Sequence, residues 1–230
     1  MVINGTSIKE LGCEFWCYRI TPAQYTGRSF WSSGVDSPSF IKGEYGWSNL
    51  EVDILVIGDS ADEVELKKSR LNSVMVVNPV IVLDEIDKGI EYVCAYENQA
   101  VVDKINEIAS LVTYHFKTVK RGRLKVIKLP SSVSEFDLLI DTQIPAPCIY
   151  EIIPTQNIKN FVLDNIMVKQ LEAGSVMIID GISKTVKTDG MNDFGNVEMW
   201  EFPKLQPGMN KITINNTSVN VVVKYHPRYA

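Results

Sequence analysis

Alternation of apolar and polar residues, the period of a β-strand whose two faces meet different surroundings, runs through most of this chain. It is clearest in LEVDILVI (Leu50–Ile57), EYVCAYE (Glu91–Glu97), LVTYHFKTV (Leu111–Val119) and KVIKL (Lys125–Leu129), with VIVLDEI (Val80–Ile86) a further strand candidate. These runs follow one another at short spacing with polar turns between them, which predicts antiparallel neighbours and a β-rich chain. One segment has a different signature. Ser60 followed three residues later by Glu63 makes a capping box and predicts a single helix through about Val74.

The turns carry the next layer of information. In FPKLQPGMNKITI (Phe202–Ile214), Pro207 presets φ, Gly208 accepts the positive φ that follows, and Asn210 closes the turn through its amide. Lys211–Ile214 then alternates sides, with Leu205 and Ile212 expected in the core, and Asn215–Ser218 leads on to Val219–Val223. The expected product is a sandwich hairpin. Asp180-Gly181 predicts a tight two-residue reversal. Around Leu129–Ser134 the chain turns polar, and Pro145, Pro147 and Pro154 cluster soon afterwards, which predicts a boundary dividing the chain into residues 1–130 and an all-β domain over 131–230.

A length of 230 residues suits two small domains, each able to bury a core. The formal net charge of -5 argues against nucleic acid as the main partner. The local exception is KTVKRGRLKVIK (Lys117–Lys128), with six basic residues and no acidic one, which reads as a solvated connection. Cys13, Cys17, Cys94 and Cys148 are scattered; one C-x-x-x-C pair cannot complete a tetrahedral zinc site, and buried free thiols are expected. MVINGTSIKE lacks a charged-then-apolar leader and no apolar run is long enough to span a membrane, so synthesis in the cytoplasm is the expectation.

Aromatic residues concentrate where glycines do. Three of the four tryptophans lie between Phe15 and Trp47, in a window punctuated by Gly27, Gly34, Gly43 and Gly46. So much apolar ring area in a hairpin-like segment implies burial against the chain's own core or against a partner.

Two motifs raise chemistry. VIGDSADE (Val56–Glu63) places Gly-Asp-Ser between a strand and a helix and resembles the nucleophile block of the GDSL hydrolases, and GMND (Gly190–Asp193) resembles their oxyanion block. That family's base is a histidine three residues after an aspartate; here Val223 precedes His226 and Val112 precedes His115 at that spacing. The hydrolase reading therefore rests on Ser60 alone, which an N-cap explains as well. DGMNDFGN (Asp189–Asn196) offers oxygen ligands but lacks the spacing of a calcium loop. No catalytic, metal or cofactor site is indicated.

Read in order, the chain resembles the distal tail (Dit) proteins of long-tailed, non-contractile bacteriophages and prophages. Ile3-Asn4-Gly5, Pro22, the aromatic hairpin and the lone helix carry the first half of the likeness; PAPCIYEI, SVMIIDGISKTVKTDG, FPKLQPGMNKITI and YHPRYA carry the second. The resemblance implies a mainly β protein, with an N-terminal sandwich-like domain bearing one helix and a protruding hairpin, and a C-terminal galectin-like sandwich. It implies a homohexameric ring at the virion tail tip, in which the hairpin embraces the neighbouring subunit, and makes Tyr25, Phe30, Trp31, Phe40, Tyr45 and Trp47 the ring-interface candidates. It implies a tail tube protein on one ring face and a tail-associated fibre or lysin protein on the other. The outer domain then holds receptor-binding proteins, or touches cell-wall sugar through a platform for which Trp200, in EMWEF, is the candidate.

Overall fold

The computed structural model describes residues 1–30, 39–83, 89–130 and 133–229, with backbone alone for residues 25, 28–30, 39–45, 99 and 100. The chain divides into two compact units, 1–121 and 122–229. The first contains β1 (Val2–Ile3), β2 (Thr6–Ser7), β3 (Cys13–Thr21), β4 (Tyr25–Phe30), β5 (Ser39–Tyr45), β6 (Ser48–Ile57), α1 (Ala61–Met75), β7 (Val80–Val82), β8 (Ile90–Asn106) and β9 (Ala109–Gly122). One sheet runs β2-β1-β7-β8-β9-β6-β3, while β4 and β5 pair only with each other among the described residues. One face of β6 and β9 is apolar, and Val64, Leu71 and Met75 of α1 join it in a single cluster with Leu50, Val52, Ile54 and Phe116. These helical positions, seven and four residues apart, form one stripe, so the helix closes that face.

The start of α1 follows the sequence closely. Ser60 has extended φ and ψ of -148° and 162°, and its Oγ accepts from Glu63 N at 3.3 Å. The Glu63 carboxylate accepts from Asp59 N at 2.7 Å, one residue earlier than a reciprocal box requires, and pairs with Lys67 at 2.8 Å. Farther along, the Tyr114 hydroxyl donates to the side-chain oxygen of Asn72, tying the helix to the sheet.

The second unit contains β10 (Lys125–Lys128), β11 (Glu135–Ile140), β12 (Ala146–Pro154), β13 (Ile158–Leu163), β14 (Ile166–Leu171), β15 (Met177–Asp180), β16 (Thr185–Thr188), β17 (Met191–Asn192), β18 (Val197–Glu198), β19 (Lys204–Leu205), β20 (Gly208–Thr213) and β21 (Val219–Tyr225). One sheet runs β10-β21-β12-β15-β16-β17, with β19 also on β12; the ladders β11-β20 and β13-β14-β18 supply further strands. Alternate residues of β12 and β21, among them Cys148, Tyr150, Val221 and Val223, share one core with Phe136, Phe161, Leu163 and Ile212 from those ladders. This is two-layer β architecture. The unit begins earlier than the polar LPSSVS stretch suggests, because β10 pairs with β21 and Leu129 N donates to Val221 O.

The opening turn forms as its residues require. Gly208 has a φ of 86°, Asn210 Oδ1 accepts from Gln206 N, its Nδ2 donates to Gln206 O and Gly208 O, and both Leu205 and Ile212 are buried. The expected hairpin does not form. β20 pairs with β11, and β21 with β10 and β12. The connection is pulled elsewhere: Asn215 N donates to Val162 O, Asn215 Oδ1 accepts from Val162 N, and its Nδ2 donates to Asn160 O. The polar link between the two apolar runs is thus committed to β13, which turns a local reversal into a change of sheet. Asp180-Gly181 opens a longer turn than two residues, with Asp180 Oδ1 accepting from Ile182 N and Ser183 N. Gly181 is needed there for space, since a Cβ would lie 2.2 Å from Pro203 O and 2.7 Å from Cys148 O.

Asp164 ties the second unit together. It sits at the turn between β13 and β14, where Oδ1 accepts from Thr213 N at 2.8 Å and Oδ2 accepts from the Tyr150 hydroxyl at 2.9 Å, so one carboxylate grips β12 and a residue of β20. Burial pushes its pKa above the ordinary 3.8, despite those two donors.

Two expectations follow for stability, measured by urea unfolding. Leu205→Ala should lose about 2 to 5 kcal/mol by opening a cavity, and Gly181→Ala about 1 to 3 kcal/mol by driving two backbone carbonyls apart. Gly208→Ala, with no heavy atom within 4 Å of the added Cβ, should lose only the backbone strain, about 1 kcal/mol. A Gly208 variant weaker than the Gly181 variant would contradict this ordering. The folded state also holds the Asp164 proton to higher pH than the unfolded chain does, so stability falls as pH rises from about 4 through the raised value and then levels. Asp164→Asn, which can keep both hydrogen bonds, should flatten that slope without loss of stability at pH 7, while Asp164→Ala should lose about 1 to 3 kcal/mol at every pH. A wild-type slope of the opposite sign would contradict the assignment.

Candidate functional site

The aromatic hairpin consists of β4 and β5, joined by residues outside the described ones, Trp31 among them. Tyr25 stands opposite Tyr45, Phe30 opposite Ser39, and Phe40 opposite Ser29, with a register shift between Arg28 and Ser29. Gly46 N donates to Gln24 O at 3.0 Å, closing the base of the hairpin. Trp47, immediately after that closure, is 60% exposed, and Trp16, on the edge strand β3, is 64% exposed. Composition alone did not single out Trp16. The signal was the adjacent FW in CEFWCY, where alternation breaks and β3 bulges between Phe15 and Cys17.

The same bulge decides the cysteine pair. In a regular strand Cys13 and Cys17 would share a face; here Cys13 pairs opposite Val56 and is buried in the core, whereas Cys17 pairs opposite Asp53. On that second face Asp53, only 5% exposed, accepts from Cys17 Sγ at 3.0 Å, Thr113 Oγ1 at 2.7 Å and Arg19 Nη1 at 3.0 Å. Burial works against the Asp53 carboxylate, but the Cys17 and Thr113 hydrogen bonds and the Arg19 charge hold its pKa below the usual range. Its hydrogen bond with Cys17 raises the thiol pKa, the opposite of nucleophile activation. Burial pushes the Cys94 and Cys148 thiols up to about 12. His115 Nδ1 lies 3.6 Å from Glu51 and His226 Nδ1 is 2.8 Å from Gly122 O, while Ser60 caps α1.

The oxygen-rich loop around Asp189–Asn196 spends its carboxylate acceptors on turns. Asp189 Oδ1 accepts from Val176 N, and Asp193 Oδ2 from Thr188 Oγ1 and Asn196 Nδ2. Among the described residues no three His, Cys, Asp or Glu side chains are grouped to hold a metal ion, and no helix is long and apolar enough to cross a membrane. The basic run at Lys117–Lys128 lies largely in β9 and β10, where Lys117 pairs with Glu97, Arg121 with Glu91 and Lys125 with Asp141.

Trp200 lies between β18 and β19 and is 101% exposed, with no packing at a sandwich rim. Hollows of about 480 and 520 Å³ flank it, the first floored by Tyr150 and Asp164 and walled by Glu201 and Lys204. Asn165, the second residue of the Asp164–Asn165 turn, lines both. The sequence analysis did not single out Asp164 or Asn165, whose position beside Trp200 depends on strand pairing distant in sequence.

The comparisons with known proteins agree with this architecture. Residues 141–229 match the model of the siphovirus-type tail component, C-terminal domain. Over its whole length the chain superposes on the crystal structure of the SPP1 Dit protein (gp 19.1), described as a paradigm of hub adsorption apparatus in phages infecting Gram-positive hosts, with a TM-score of 0.74 and 11% identity, covering 100% of this chain and 98% of that one. A chain of the phage P2 baseplate in its activated conformation with Ca aligns with a TM-score of 0.50 and 12% identity, covering 94% and 91%. No curated protein matches. Residues 141–229 thus match the C-terminal domain of the siphovirus-type tail component, and the full length has the fold of the SPP1 Dit protein.

Proposed function

We propose that this tail component is the structural hub of the tail tip, a closed ring of six copies that joins the tail tube protein to a tail-associated fibre or lysin protein. The observation that carries the reading is the β4–β5 hairpin. It is a two-stranded sheet by itself among the described residues, and a lone two-stranded ribbon is marginal in water, so it gains stability by adding to a neighbour. A ring needs an interface in which one patch meets a different patch on the next copy, and a projecting ribbon supplies that asymmetry. Tyr25, Phe30, Phe40, Tyr45 and Trp47, with Trp31, are its contact residues in this reading, and the edge-strand Trp16 extends the aromatic surface. The match to a tail-component family and the fold shared with the SPP1 Dit hub support it. The role is architectural and not catalytic: Ser60 serves as a helix cap, and the Cys17 thiol is held by Asp53.

Light scattering on the purified chain at high micromolar concentration, alone and with the tail tube protein, tests the assembly. The expected mass is about six times the 25.9 kDa of one chain. Because Gln24 and Gly46 are hydrogen-bonded, a short Gly-Ser link can replace residues 25–45; that variant should stay monomeric with an unchanged melting temperature. A monomeric wild type under both conditions, or a ring formed without the hairpin, would refute the proposal.

A further inference from the structure

The end strand of the larger sheet in the second unit is β10. It has β21 on one side, and among the described residues no strand lies on the other. The register fixes which groups face that open edge. Leu129 N donates to Val221 O, and Lys125 and Ile127 stand opposite Tyr225 and Val223, so these alternate residues form the hydrogen-bonded pairs with β21. The N–H and C=O groups of Val126 and Lys128, in the intervening positions, point away from the sheet. Side chains alternate as well. Ile127 packs against the core, whereas Leu124 and Val126 are 48% and 53% exposed.

Charge along this edge has one sign. No acidic residue occurs between Lys117 and Lys128, and Arg123-Leu124-Lys125-Val126 alternates cation with apolar residue. Arg123 and Lys128 are exposed and have no carboxylate partner among the described residues, while Lys125 reaches Asp141 only at 3.9 Å. Lysines on an edge strand work against pairing with a like strand: two copies of β10 laid antiparallel about Val126 and Ile127 would set Lys125 opposite Lys128. The same charges favour a strand that brings carboxylates. A nucleic acid answers the charge, but it has no amide ladder for the open N–H and C=O groups and no aliphatic side chains for Leu124 and Val126. An acidic peptide has all three.

We propose that the open edge of β10 takes up an extended acidic segment of another protein as an added strand. Its amides bond to Val126 and Lys128, its carboxylates lie beside Arg123 and Lys125, and its apolar side chains cover Leu124 and Val126. The site belongs to the second unit by itself and does not depend on ring assembly or on the Trp200 loop.

A fluorescently labelled heptapeptide of alternating glutamate and valine, titrated with the purified full-length chain and followed by anisotropy, tests it. Saturable binding is expected, with a dissociation constant of about 0.1 to 1 mM that rises with salt. Val126→Pro deletes an outward N–H that β21 does not use, so it should weaken binding about tenfold or more and leave the melting temperature nearly unchanged. Arg123→Glu with Lys125→Glu should abolish binding of this peptide and confer binding of its lysine–valine counterpart, a gain that an unfolded variant would not show. Absence of saturable binding, indifference to Val126→Pro, or failure of the charge exchange to switch peptide preference overturns the proposal. Equal binding of the same peptide N-methylated throughout, or binding of a thymidine dodecanucleotide in place of the peptide, overturns it too.

Discussion

A β-ribbon of two strands satisfies one edge of each strand and leaves the other edges, with both faces, to whatever surrounds it. Among the described residues the pairing of β4 with β5 is of this kind: tyrosines stand opposite one another at its base and phenylalanines opposite serines farther out. Such a ribbon does not supply enough buried area to offset the ordering of its own backbone. Its place in the chain makes sense if a second molecule completes it, and the ring reading depends on that constraint. The other half of the first unit is arranged differently, with α1 covering the apolar face of the long sheet and a charged network of Arg19, Glu51 and Asp53 covering part of the other.

In the second unit stability rests on long-range polar commitments as much as on the core. Asp164 and Asn215 each tie a turn to strands remote in sequence, and Gly181 lets three backbone segments pass closer than any side chain would permit. These fixed points hold the loops that border the Trp200 groove.

Much of this was legible in the residues because the information was local. The lone helix and its Ser60 cap, the Gly208 turn with its Asn210 closure, and the inward Leu205 and Ile212 all follow from short-range rules. What the pattern missed was non-local. Val219–Val223 lies a few residues after β20 and invites a hairpin, but the linking Asn215 is drawn to β13 instead. The basic run read as a loop because its charges suggested solvent, while Glu97, Glu91 and Asp141 lie across from three of them. The face each cysteine adopts turned on a bulge that no spacing rule reveals, and the convergence of Asn165 on Trp200 required the sandwich to be built first.

Hydrogen exchange across β4 and β5 tests the central claim most directly, because it reads the ribbon's dependence on a partner strand by strand. In the dilute, unassembled chain the amides of Tyr25–Phe30 and Ser39–Tyr45 should exchange fast, while those of β6 and β9 stay protected; in the assembled ring the ribbon amides should become protected as well. A ribbon equally protected in the isolated chain and in the assembly would contradict the account, since it would then need no neighbour to complete it.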